Sequence, residues 1–152
     1  MFNVVLVEPE IPHNTGSIGR LCLATGSTLH LVQPLGFSLD EKAVRRAGLD
    51  YWEKVDVRLW ESFEVLRGSQ PENARFFFFT TKTDRVYWEE KFLPGDFLVF
   101  GRETRGLPEP LLEANAGGCL TIPMQPETRS LNLATAAGIV LYEACRQAAV
   151  VK

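Results

Sequence analysis

The sequence predicts a single α/β domain with a mostly parallel sheet flanked by helices. Three observations lead there. Short strand-like apolar runs alternate with helical stretches along the chain. Two of the runs, "ARFFFFTT" (74–81) and "DFLVFG" (96–101), are continuously apolar, as strands covered on both faces are. No repeat, low-complexity tract or linker interrupts the 152 residues, so one domain is expected over 1–152.

The elements follow in order. "FNVVLV" (2–7) is a β-branched strand, and "EPEIPHNTG" is a loop leading into a helix at "SIGRLCLATG" (17–26). "TLHLV" (28–32) reads as a strand. "SLDEKAVRRAG" (38–48) reads as a helix capped by Ser38, with acids early and bases late, as the helix dipole favours. "KVDVRLW" (54–60) alternates like a half-buried strand, and "ESFEVLRG" (61–68) is a short helix stopped by Gly68 before the turn "SQPEN". After the two buried strands, "PEPLLEANAGG" (108–118) is a helix closed by glycines and "CLTIP" (119–123) a last strand. "SLNLATAAGIVLYEACRQA" (130–148) is the longest helix. It is apolar around nearly its whole circumference, so burial on more than one side is expected. Its small residues Ala134, Ala137, Gly138 and Ala144 suit close helix approach, and in so small a chain the expected partner is a second subunit.

Composition narrows the function. With 45% hydrophobic residues and 10 Phe, the chain can bury a core without staples. The net charge of −3 argues against a general nucleic-acid binder, although Lys42, Arg45, Arg46 and the arginines at 20, 102, 105 and 129 can still form a local basic surface. Cys22, Cys119 and Cys145 form neither a CxxC pair nor a zinc spacing, so they read as reduced thiols of a cytoplasmic protein. The two histidines, His13 and His30, cannot build a multi-histidine site, and no metal is expected. No stretch of 18 apolar residues exists and "MFNVVLVEPEIP" lacks signal-peptide character, so no membrane association is expected.

In open parallel sheets, ligands sit beyond the carboxyl ends of the strands. Three loops there combine rigid Pro or Gly backbone with hydrogen-bonding side chains: "EPEIPHNTGSIGR", "GRETRGLP" and "PMQPETRSLNL". The glycines of "TGSIGRLCLATG" suit a phosphate at a helix start, but G-x-G-x-x-G and the P-loop pattern are both missing. No G-x-S-x-G is present for a hydrolase either. In "FGRETRGLP" (100–108), Gly101 and Gly106 let the backbone approach a ligand. Glu103 is suited to accept from Asn14 or loop N–H groups, and Arg102 and Arg105 suit phosphate.

Taken in order, "NTGSIGR" (14–20), "FGRETRGLP" and "RSLNLATAAGIVLYEA" (129–144) resemble the three motifs of the SPOUT superfamily of RNA methyltransferases. The similarity runs along almost the whole chain to the small TrmL (YibK-like) tRNA 2′-O-methyltransferases, with "VLVEPEIPHNTGSIGRLC", "RRAGLDYWE" and "FFTTK" adding to it. The resemblance implies a C-terminal trefoil knot, a homodimer and S-adenosyl-L-methionine as cofactor. The implied product is a 2′-O-methylated ribose at wobble nucleotide 34, C or U, in the anticodon loop of leucine tRNAs. Position by position, it implies that Phe79, Gly101, Ile122, Ser130 and Leu131 enclose the cofactor. Arg20 and Asn14 take the catalytic places, and Glu103 and Asn132 organise the reacting end. Tyr142 falls where the family has a dimer-interface tyrosine linked to tRNA, and Arg102 and Arg105 are the further RNA candidates. The chain departs from the family at Ser17, often Asn, and at His13, often Pro. Methylation of ribosomal RNA or of another tRNA position, or cofactor and RNA binding without turnover, are the alternatives.

Overall fold

Six strands form one sheet in the computed structural model, which describes residues 1–40 and 42–149. They are β1 (Asn3–Val7), β2 (Thr28–Val32), β3 (Val57–Trp60), β4 (Phe76–Phe79), β5 (Phe97–Phe100) and β6 (Cys119–Leu120), in the order β3-β2-β1-β5-β4-β6. Every pairing is parallel, and at the centre Asn3 stands opposite Phe97. The helices are α1 (Pro12–Thr25), α2 (Lys42–Gly48), α3 (Phe63–Gly68), α4 (Glu109–Ala114) and α5 (Leu133–Ala148).

Alternation along the inner strands divides the core in two. Val4, Leu6, Phe77, Phe79, Leu98 and Phe100 pack with Ile18 and Cys22 of α1, Val44 of α2 and Val140 and Leu141 of α5. Val5, Val7, Phe76, Phe78, Phe97 and Val99 pack on the other face with Phe63 and Leu66 of α3 and Leu112 of α4. The run Phe76–Phe79 is apolar throughout because both of its faces are covered.

The chain leaves β1 towards β2 and leaves β5 in the opposite direction towards β6. The neighbouring strands β1 and β5 therefore form a topological switch point, the place beyond which ligands usually bind in such sheets.

Several boundaries depart from expectation. Helix α1 begins at Pro12, five residues before the predicted start, with proline in the first turn where its missing N–H costs nothing. Of the helix expected over 38–48, α2 covers Lys42–Gly48, the Ser38 hydroxyl accepts from the Asp40 N–H at 3.3 Å in the turn before it, and Glu41 lies outside the described residues. The chain continues as a 3₁₀ segment, Leu49–Lys54, which lays Trp52 on α1. Gly19 admits that ring, since a Cβ there would lie 2.6 Å from Trp52.

The expectation for α5 needs a larger correction. Leu133, Ala137, Val140, Leu141, Ala144 and Cys145 are buried, whereas Thr135, Tyr142 and Arg146 are exposed, so within one chain the helix is covered on one side. Gly138 is not on the open side. A Cβ there would meet Leu21 of α1 at 3.4 Å. The three cysteines are buried and unpaired. Among the described residues no helix is long and apolar enough to cross a membrane.

Candidate active site

A cleft of about 340 Å³ opens beyond the carboxyl ends of β4, β5 and β6. Three stretches build it: 79–82 after β4, 100–107 after β5, and the last segment from Thr121 to Ala136. Phe79, Gly101, Ile122, Ser130 and Leu131, far apart in sequence, all line it. Phe79 and Phe100 stack beneath, with centroids 4.8 Å apart and planes 12° from parallel. Lys82, Arg105 and Arg129 add positive charge at its edge. Lys82 pairs with Glu109 at the start of α4. The structure adds Thr104, Met124 and Arg129 to the predicted lining; Arg129 opens the third motif, and Thr104 carries no separate signal of its own.

The 102–106 rim is a tight turn closed by the Gly106 N–H donating to the Arg102 carbonyl at 2.9 Å. Gly106 has φ +68°, the left-handed region that favours glycine. The turn folds back on Gly101 so closely that a Cβ at 101 would lie 2.0 Å from the carbonyl carbon of Gly106. This explains the two glycines of "FGRETRGLP".

The same turn is tied across the β1/β5 switch point. The Glu103 carboxylate accepts the N–H groups of Glu10 at 2.8 Å and Ile11 at 3.2 Å. Ile11 is the N-cap residue of α1 and has no side-chain cap to offer, so Glu103 supplies an anion to that helix start from 92 residues away. In return, Glu10 Oε1 accepts from the Thr104 N–H at 3.1 Å and its hydroxyl at 2.7 Å. Arg102 meets Glu8 at 2.9 Å, and this bond raises the guanidinium pKa further. Glu8 has φ +55° where the chain turns sharply out of β1. Glu103 thus takes the loop N–H groups, not Asn14.

Asn14 is buried and faces the third motif. Its Oδ1 accepts from Asn132 Nδ2 at 3.1 Å, while Asn132 Oδ1 caps α5 by accepting from the Thr135 N–H at 3.1 Å. The first and third motifs are therefore joined by one amide pair. Arg20 is not part of that junction: it is exposed on α1, its guanidinium 5.4 Å from the centroid of the Tyr51 ring, and it does not line the cleft. Tyr142 is exposed on the open side of α5. Arg105 is exposed at the cleft edge. Among the described residues, no three His, Cys, Asp or Glu side chains cluster to hold a metal ion.

Comparison with known proteins agrees with this architecture. Residues 1–142 match the model of the SpoU rRNA Methylase family. A protein of Burkholderia cenocepacia (strain HI2424) named tRNA (cytidine(34)-2'-O)-methyltransferase is 50% identical over 152 residues, covering 97% of this chain and 96% of its own. A solved structure described as "Structural insights into the 2-OH methylation of C/U34 on tRNA" superimposes with a TM-score of 0.93 at 47% identity, over 97% of this chain and 95% of that one. An S-adenosyl-L-methionine-bound rRNA methyltransferase from Sinorhizobium meliloti has a TM-score of 0.84 at 26% identity, over 95% of this chain and 56% of that one.

Proposed function

The chain belongs to the SpoU rRNA methylase family, and from that premise we propose that it methylates the ribose 2′-oxygen of nucleotide 34 in tRNA, with S-adenosyl-L-methionine as donor. One observation carries the reading: the five residues expected to enclose the cofactor, drawn from four separate strand ends and loops, line a single cleft. The tRNA assignment is favoured over a ribosomal substrate by the half-identical relative named for nucleotide 34, whereas the rRNA methyltransferase is similar at 26%. Leucine tRNAs as the substrate set, and C or U as the target, rest on the motif resemblance.

The residues suit the donor. Gly101 lets the 102–106 rim fold closely over the strand end, and Phe79, Ile122, Leu131 and Leu133 form an apolar wall beside the polar Ser130. A cleft of this size is in the range of small-molecule sites. When bound, S-adenosyl-L-methionine supplies an electrophilic methyl group on its sulfonium. The chain's own work is to align the ribose with that methyl and to accommodate the hydroxyl proton. The Asn14–Asn132 pair fixes the two helix starts that flank the reacting end. A guanidinium has no acceptor site for a proton, so in this reading Arg20 serves the developing alkoxide or a tRNA phosphate. Arg105 extends the same positive edge towards the RNA, whereas the charge of Arg102 is matched by Glu8.

We take the C-terminal segment to be threaded as a trefoil, because both 121–124 and 129–136 return to the cleft. We take the working unit to be a homodimer, because α5 leaves Tyr142 exposed on the side that one chain does not cover.

The test is a map of 2′-O-methyl groups in tRNA incubated with the protein and S-adenosyl-L-methionine. A new group at nucleotide 34 is expected. Methylation only elsewhere, or cofactor binding without transfer to any RNA, overturns the reading.

A further inference from the structure

The Glu10 side chain has no part in the scheme above, yet it receives two hydrogen bonds from the rim of the cleft. We propose that Glu10 is a positioning residue for the cofactor cleft, holding Thr104 and with it the 102–106 rim against the first turn of α1. The proposal rests on the cofactor reading just given.

Reciprocity is the first ground. Each loop sends a carboxylate to two donors of the other: Glu103 to the Glu10 and Ile11 N–H groups, and Glu10 to the Thr104 N–H and hydroxyl. These donors include backbone groups at a helix start, which have no partner within the helix. The interaction is therefore tied to main-chain geometry, unlike a pair of surface side chains.

Support beneath Glu10 is the second ground. The Gly36 N–H donates to the Pro9 carbonyl at 2.9 Å, and a Cβ at Gly36 would lie 2.8 Å from the Glu10 Cα. The chain after β2 thus forms a close bed for Glu10, which can hold a neighbour in place because its own backbone is held. The rim has less of its own. It is closed by one main-chain bond, and Thr104 and Arg105 at its tip line the cleft. What Thr104 is tied to decides where that wall stands. Hydrogen bonds from the Thr104 hydroxyl and amide keep the Glu10 carboxyl below its ordinary pKa, so it is an ionised acceptor at neutral pH.

The position of the tie adds a third ground. It crosses the β1/β5 switch point, the usual ligand crevice of such sheets, and laces that crevice shut. The cleft lies beyond the neighbouring strands instead.

The experiment measures S-adenosyl-L-methionine affinity by calorimetry and amide hydrogen exchange at Thr104, using the full chain. Glu10→Ala is expected to weaken the cofactor by ~10-fold and to speed Thr104 exchange by a similar factor, as loss of charge-assisted bonds predicts. Glu10→Gln, which keeps an acceptor oxygen, and Thr104→Val, which keeps the amide bond, should each weaken it by about 3-fold. Glu10→Ala combined with Thr104→Val should be no weaker than Glu10→Ala alone, because both act on the same bonds. Melting temperatures should stay close together. Wild-type affinity in Glu10→Ala, additive losses in the double variant, or affinity that only tracks the melting temperature overturns the proposal. If Glu10→Ala does not fold, the Gln and Val variants decide. Should the wild-type chain bind no S-adenosyl-L-methionine, the cofactor reading fails, while exchange at Thr104 still reports whether Glu10 holds the rim.

Discussion

At position 101 a single methyl group is enough to displace the cleft rim, since a Cβ would stand 2.0 Å and 2.2 Å from main-chain atoms of Gly106 and Leu107. Gly101→Ala is expected to lower stability by about 1–3 kcal/mol, the usual range for overpacking. Cofactor affinity should fall by ~10-fold or more, and denaturant titration beside calorimetry checks both. Arg20 gives the contrasting case. It lies outside the cleft, so Arg20→Ala should leave cofactor affinity nearly unchanged while single-turnover methylation falls ~10²-fold, and Arg20→Lys should rescue poorly. Near-normal turnover in the alanine variant would remove Arg20 from the mechanism. At this scale the sequence showed which residues matter to the cleft better than what they touch. Gly101 and Glu103 were legible because glycine and a carboxylate in a loop have few uses. The partners of Glu103 were not legible, because they are main-chain groups, which look alike at every position. Glu10 was overlooked for a related reason: of two acids among prolines, neither has a pattern until Thr104 is brought beside one of them.

Among the elements, α1 and α5 meet at Gly138, where Leu21 already stands at contact distance from a Cβ. Gly138→Leu is therefore expected to destabilise the fold of each chain by about 1–3 kcal/mol, seen as a urea midpoint below the wild type's by the same margin at every protein concentration. A margin that closes at high protein concentration would return Gly138 to a subunit interface. Strand β2 carries a different liability. His30 is buried, its Nδ1 accepts from the Trp60 indole N–H at 3.0 Å, and its Nε2 donates to Asn3 Oδ1 at 2.9 Å. That arrangement uses the neutral ring, and burial lowers the pKa to about 4, with Arg58 adding to the effect and Asp56 opposing it. A histidine neutral when folded and readily charged when unfolded stabilises fully above pH 6.5 and loses that contribution as pH falls towards 4. The gap corresponds to about 3 kcal/mol at most. Chemical denaturation across this window should show the slope, and His30→Gln should flatten it. The inner strands were read well because both of their faces are covered and their apolar runs are unbroken. The edge strands β3 and β6 are shorter than the expected 54–60 and 119–123, and β3 exposes Arg58 and Leu59. Helix starts were read less well: α1 has no side-chain cap of its own, and its anion comes from Glu103 across the fold.

For the whole molecule, the open side of α5, with Tyr142 exposed on it, predicts a homodimer that survives dilution to micromolar concentration. Sedimentation showing an active monomer would end that idea. Because Arg20 stands outside its own cleft, the proposed role would place it either on RNA overhanging the rim or at the cleft of an associated copy. Mixing Arg20→Ala with Gly101→Ala separates these: recovered activity in mixed dimers supports the second, and none supports the first. The all-parallel architecture was legible from alternating elements, but strand order was not, because nothing in periodicity says that β5 will insert between β1 and β4. That insertion has a consequence for synthesis. The strand made first ends beside one that begins 94 positions later, with Asn3 opposite Phe97. At ribosomal rates of about 5–20 residues per second, β1 waits for several seconds, and longer for the exit tunnel, with one row of hydrogen-bonding groups unmatched. An emerging chain in that state invites pairing with other polypeptides and depends on being shielded. Ribosome-bound chains arrested before residue 97 clears the tunnel should be protease-sensitive, and those arrested well after residue 136 should resist.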